Sequence, residues 1–127
     1  MGIMQDLVKA TPLTLLPALS RSADANGTGV DVSLLEGMAI AILEAANVSG
    51  TTPTLDVKLQ ESDTSGGTYT DIAGAVFTQV TTVAGIQKIA VEIQQTKKFV
   101  RAVFDVGGTS PVYTAGCYLI GQKKYGG

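Results

Sequence analysis

The chain has 127 residues, 45% apolar and 16% charged, with a formal net charge of −2. That length suits one domain with its own core, and the charge lacks the basic excess that nucleic-acid phosphates require. There is no His, no Trp and one Cys, which excludes an intrachain disulfide, Ser-His or Cys-His nucleophiles and the commonest metal ligand.

Residues 1–11 read as an N-terminal arm, 12–122 as a folded domain and 123–127 as a polar C-terminal tail. The arm is too short for a stable helix by itself. Its apolar residues Ile3, Met4, Leu7 and Val8 suit packing on the domain or on a neighbour, which makes them the candidate partner-binding residues. Asp6, Lys9, Pro12 and Pro17 break the charged-then-apolar order of a secretory signal. No apolar run reaches the roughly 18 residues of a membrane span. The expectation is a soluble protein made in the cytoplasm, with no membrane and no nucleic-acid partner.

Leu13 to Ser20 is a strand containing Pro17, and a proline that cannot donate to a ladder predicts an edge or a bulge. Asn26-Gly27 marks a turn, and Val30 to Ser33 is a short strand. Met38 to Ala46 is an apolar run that periodicity alone cannot type. Leu55 to Glu61 alternates, with Leu55, Val57 and Leu59 facing inward. Tyr69 to Ile72 and Val76 to Val80 read as strand pieces broken at Gly74. Ile86 to Ile93 alternates again, Ile89, Val91 and Ile93 against Lys88, Ala90 and Glu92. Phe99 to Phe104 and Val112 to Ile120 complete the set, and Cys117 reads as a small buried side chain.

One stretch occurs twice. Val48-Ser49-Gly50-Thr51-Thr52-Pro53 returns as Val106-Gly107-Gly108-Thr109-Ser110-Pro111, shifted by 58 residues. Each copy lies between two apolar runs, so a strand–loop–strand unit is expected twice. The strand pattern of Phe99 to Phe104 types its equivalent, Met38 to Ala46, as a central strand buried on both faces. The repeated loops read as hairpins, with Gly50 and Gly108 in left-handed conformations and Pro53 and Pro111 leading into the next strands. The whole predicts an all-β fold: a two-sheet antiparallel β-sandwich, jelly-roll or immunoglobulin-like, of about eight or nine strands, with an open barrel as the alternative.

No residue pattern points to chemistry. A phosphate loop needs a following Lys and helix, which the repeated loops lack. Glu61, Asp63 and Asp71 supply carboxylates, but around a Gly-rich loop rather than across a cleft, and their spacing matches no Ca²⁺ loop. Lys97, Lys98 and Arg101 form the densest basic group and read as a solvated strand end. The expected sets of catalytic, cofactor-binding and metal-binding residues are therefore empty.

Five segments together resemble small virion structural proteins of tailed bacteriophages: Ser49 to Asp63, Tyr69 to Ile72, Phe77 to Val80, Val100 to Val103 and Gly107 to Pro111. The likeness runs from Leu15 to Ile120 and leaves the arm outside it. It implies a non-enzymatic capsid decoration (cement) protein on the exterior of the virion, contacting the major capsid protein and assembling as a homotrimer. A head–tail connector or tail component is the alternative within that family. A carbohydrate-binding β-sandwich module is the alternative outside it, disfavoured because no Trp is available to stack on a sugar.

Overall fold

The alternating runs fold as strands because each offers one apolar face to bury. The computed structural model describes residues 10–123. Seven strands follow in order: β1 (Ala10–Arg21), β2 (Ala25–Asn26), β3 (Val30–Asp31), β4 (Leu35–Ser62), β5 (Thr70–Val76), β6 (Gly85–Glu92) and β7 (Phe99–Lys123), with a 3₁₀ turn at Ile93–Gln95. All strand pairs are antiparallel.

β4 and β7 are the frame. They form one long ribbon that runs from Leu35 opposite Lys123 to Ser62 opposite Phe99. The ribbon bends at its middle, where the register shifts three times between Ala46 and Thr54. Each long strand therefore gives one leg to each of two layers. The first layer runs β6–β4–β7–β1 and uses residues 35–46 and 112–123 of the long strands. The second runs β5–β4–β7, with β2 and β3 on the far edge, and uses residues 54–62 and 99–107. This is the expected two-layer antiparallel sandwich.

Its core joins both inner faces. Leu43, Leu55, Leu59, Val100, Phe104, Tyr113, Cys117 and Leu119 are fully buried and belong to one cluster. Alternation places them: the intervening residues of each leg face outward. The inward alternations of Leu55–Leu59 and Ile89–Ile93 stand as expected, and Cys117 is buried. Pro17 lies on the edge strand β1, whose register shifts twice between Thr14 and Leu19.

The repeated motif is not a pair of hairpins. Its two copies lie opposite each other at the bend of the ribbon. Gly50 and Gly108 take φ of 109° and 107°, as anticipated in sign, and Thr52 and Ser110 take 45° and 49°. A β-carbon on Gly50 would lie 2.6 Å from the Ser110 carbonyl oxygen and 2.8 Å from Pro111 Cα. A β-carbon on Gly108 would lie 2.6 Å from the Thr52 carbonyl oxygen and 2.9 Å from Pro53 Cα. The two sets of contacts interchange under the 58-residue shift, so the bend has a local two-fold axis. Because both motifs are bends, four of the expected strands merge into two; with β2 as an additional short strand and residues 77–80 outside any strand, the described residues hold seven.

Two further readings need correction. Met38 to Ala46 is a central strand segment, flanked by β6 and β7. It is buried on one face only: Ala39, Ala41, Leu43 and Ala45 point inward, while Met38, Ile40 and Glu44 are exposed. β5 runs through Gly74 and ends at Val76. The Phe77 N–H bonds the Val57 carbonyl, and Val80 makes an isolated bridge to Leu55, in place of a second strand.

Candidate functional surface

The two outer faces of the sandwich differ in chemistry. On the second layer the outward residues tie into a polar lattice. Arg101 donates to Gln60 Oε1 through Nε (3.0 Å) and Nη2 (2.7 Å). The Gln60 amide donates to Asp71 (2.9 Å), and Lys58 Nζ lies 3.0 Å from the same carboxylate. The Arg101 guanidinium sits 4.2 Å from the Tyr69 ring centroid, a cation–π contact. The hydrogen bond from Gln60, then that from Lys58, holds the Asp71 carboxyl below the usual carboxylate range.

On the first layer the outward residues are mostly apolar. Met38, Ile40 and Ile86 are 55%, 43% and 67% exposed. Ile40 lies between Ile120 on β7 and Ala90 on β6, and Ile42 between Tyr118 and Lys88. Glu44, Lys88 and Glu92 are the charges among these rows. Clustered apolar side chains on an outer face make it the candidate contact surface of this domain.

The edges differ as well. β1 is broken by Pro12, Pro17 and its register shifts. β5 carries a register shift and Gly74 at φ 78°. β2 and β3 are two residues each. Among the described edge strands β6 has the longest uninterrupted pairing, eight residues on β4 from Glu92 opposite Met38 to Gly85 opposite Ala45. Uninterrupted edges are templates for another strand. An open cleft of about 420 Å³ lies beside it, with Met38, Ile72, Ala90 and Glu92 in its walls.

The carboxylates singled out in the sequence are engaged separately. Glu61 accepts the Lys97 backbone N–H at 3.0 Å, Asp63 lies 4.0 Å from Lys97 Nζ, and Asp71 belongs to the Lys58–Gln60 lattice. Among the described residues, no group of three or more acidic, His or Cys side chains is arranged to hold a metal ion. Asp24, Asp56 and Asp105 do come close, and Asp24 foremost holds the Asp105 carboxyl above its ordinary range. Lys97 and Lys98 are exposed just before β7, while Arg101 is half-buried against Gln60. The arm residues Ile3, Met4, Leu7 and Val8 lie outside the described residues.

Burial pushes the Cys117 thiol up to about 12. Thiolate is the reactive form, so Cys117 is expected to ignore thiol reagents at neutral pH while the protein is folded. It should react fully in denaturant; a disulfide-exchange titration with and without urea checks this.

The sequence signal for the apolar face was present and had two meanings. From Met38 to Ala46 the large residues Met38, Ile40 and Ile42 share one parity, and Ala39, Ala41 and Ala45 share the other. The inward parity is mostly small, with Leu43 the one large side chain, while Met38, Ile40 and Ile42 lie on the outward parity.

No protein-family model matches the chain, and no curated protein matches it. Among solved structures, a chain in the structure of infectious bursal disease virus Gx strain is similar over 92% of this chain, with a TM-score of 0.56 and 11% identity. This chain spans 33% of the length of that one. At that identity the likeness defines the fold, a two-layer antiparallel β-sandwich that also occurs within a virus chain.

Proposed function

We infer that this protein is a structural component of a virus particle, and specifically a decoration protein bound to the outer surface of a tailed-phage head. The likeness to a virus chain over 92% of this chain carries the reading, and the phage-like text from Ser49 to Pro111 narrows it. A surface made of an apolar face and an open edge suits a part whose work is contact. Ile3, Met4, Leu7 and Val8 are the bridging residues, reaching from the domain to the major capsid protein. Binding to the assembled shell alone stabilises it by mass action, by about 2.7 kcal/mol per site when free protein is at one hundred times Kd. Contacts repeated over the shell add avidity.

The test is co-sedimentation with assembled heads and with unassembled capsid subunits. The full chain is expected on assembled heads only. Deletion of residues 1–9, which leaves β1 intact, is expected to weaken binding at least tenfold. Undiminished binding by the truncated chain removes the bridging role. Binding to a connector or tail in place of the head moves the protein to that part of the particle.

A further inference from the structure

The open edge of β6 carries its own complement. Ile86, Lys88, Ala90 and Glu92 point to the same outer face, because side chains alternate along a strand. The backbone of β6 pairs with β4 on one side, and no described strand pairs with the other. Two charged groups on this edge lack partners among the described residues. Lys88 joins none of the ion pairs among the described residues. Glu92 Oε1 is buried without a hydrogen-bond partner.

The geometry points to a second copy of this chain as the occupant of that edge, docked β6 against β6 about a two-fold axis at Ala90. With Ala90 opposite Ala90, antiparallel pairing sets Lys88 of each copy opposite Glu92 of the other. Outer faces stay on one side, as the pleat requires. Both unpartnered charges are then satisfied, twice over, and opposite charges directly across a strand pair stabilise it. On the inner face Ile89 of one copy meets Val91 of the other, so the buried rows run on across the contact.

Other registers fail. An axis at Lys88 or at Glu92 sets like charges against each other, which is destabilising. An axis at Ile89 or Val91 puts one of the two charges opposite Ala90. The order Lys-x-Ala-x-Glu is its own complement when read antiparallel. That is the property an isologous two-fold contact needs, and a foreign strand has no use for it. The paired stretch runs from Lys88 to Glu92 of each copy, because the 3₁₀ turn at Ile93–Gln95 ends the strand, and it joins the first layers of both copies with their outer faces on one side. This contact forms in free solution and does not depend on the virion reading, so either can fail alone.

The experiment uses the full chain, with mass measured by light scattering and sedimentation over a range of concentrations. The wild type is expected to reach a dimer. Lys88→Glu and Glu92→Lys should each weaken self-association at least tenfold, because each sets like charges across the axis. An equimolar mixture of the two variants should recover dimers, all of them heterodimers, since every facing pair is then opposite in charge. The double variant Lys88→Glu/Glu92→Lys should dimerise with itself. Circular dichroism establishes that each variant is folded. A wild-type monomer at all concentrations, a free trimer, single variants that associate like the wild type, or a mixture that stays monomeric overturns the proposal.

Discussion

Alanine at Gly50 or at Gly108 is expected to remove a large part of the stability of this domain, and by similar amounts at the two positions. Each glycine holds a φ near 108°, at 109° and 107°, beyond the small left-handed region that an L-residue visits. Holding a non-glycine residue in such a conformation costs about 1–3 kcal/mol. The added methyl also meets backbone, not a movable side chain: a carbonyl oxygen at 2.6 Å in both cases and a proline Cα at 2.8 or 2.9 Å. The opposite strand must shift at the one place where both layers turn. Against a total of about 5–15 kcal/mol for a typical domain, either substitution leaves a marginal protein. Urea unfolding checks it. Gly66→Ala is the control: that position has no atom within 4 Å of the added carbon and no positive φ, so its effect should stay within about 1 kcal/mol. Clearly unequal losses at Gly50 and Gly108 would contradict the local two-fold axis.

The second large effect is expected at Tyr113. Its ring is fully buried, and its hydroxyl shares one proton between the carbonyl oxygens of Thr81 (2.8 Å) and Val80 (3.1 Å). It thereby pins the chain after β5 against the bend of β7. Tyr113→Ala leaves a cavity and frees that segment, at a cost of about 3–5 kcal/mol by analogy with other buried aromatics. Tyr113→Phe keeps the ring and removes the hydroxyl's bond to the Thr81 carbonyl, while the Val80 carbonyl still accepts the Leu55 N–H, at a cost of about 1 kcal/mol. Burial, and to a lesser extent Asp56, raises the pKa of this phenol above its ordinary value. The folded chain thus holds the phenolic proton more tightly than the unfolded chain. The associated stability is fully present below about pH 10, the ordinary tyrosine value, and is lost as pH rises through the raised folded value. The alkaline limb of a stability–pH curve should flatten in Tyr113→Phe.

Much of this fold was legible in local pattern. Leu55 to Leu59 and Ile89 to Ile93 alternate, and they bury the faces they advertise. Pro17 declared an edge. The doubled motif announced a repeat, and the repeat is real. What the local text left open was the partner of each copy. A glycine with positive φ followed by a proline serves a hairpin or a bent ribbon equally well. The difference lies in the contact of Gly50 with Ser110 and Pro111, far along the chain, and no propensity encodes that. The outward side of Met38 to Ala46 was opaque for a related reason. Met38, Ile40 and Ile42 look like core residues in sequence because hydrophobicity is the same whether the surface meets the protein's own interior or a partner. The free edge of β6 was hidden too, since an edge is defined by which strand fails to arrive.

Deletion of an arm or reversal of a charge tests how the protein makes contact. Whether it belongs to a particle at all is tested most directly by quantitative mass spectrometry of virus particles purified from the source of its gene. The expected result is many copies per particle, in a fixed ratio to the main subunit of the head and retained through gradient purification. Purified particles that lack the chain would contradict the virion assignment.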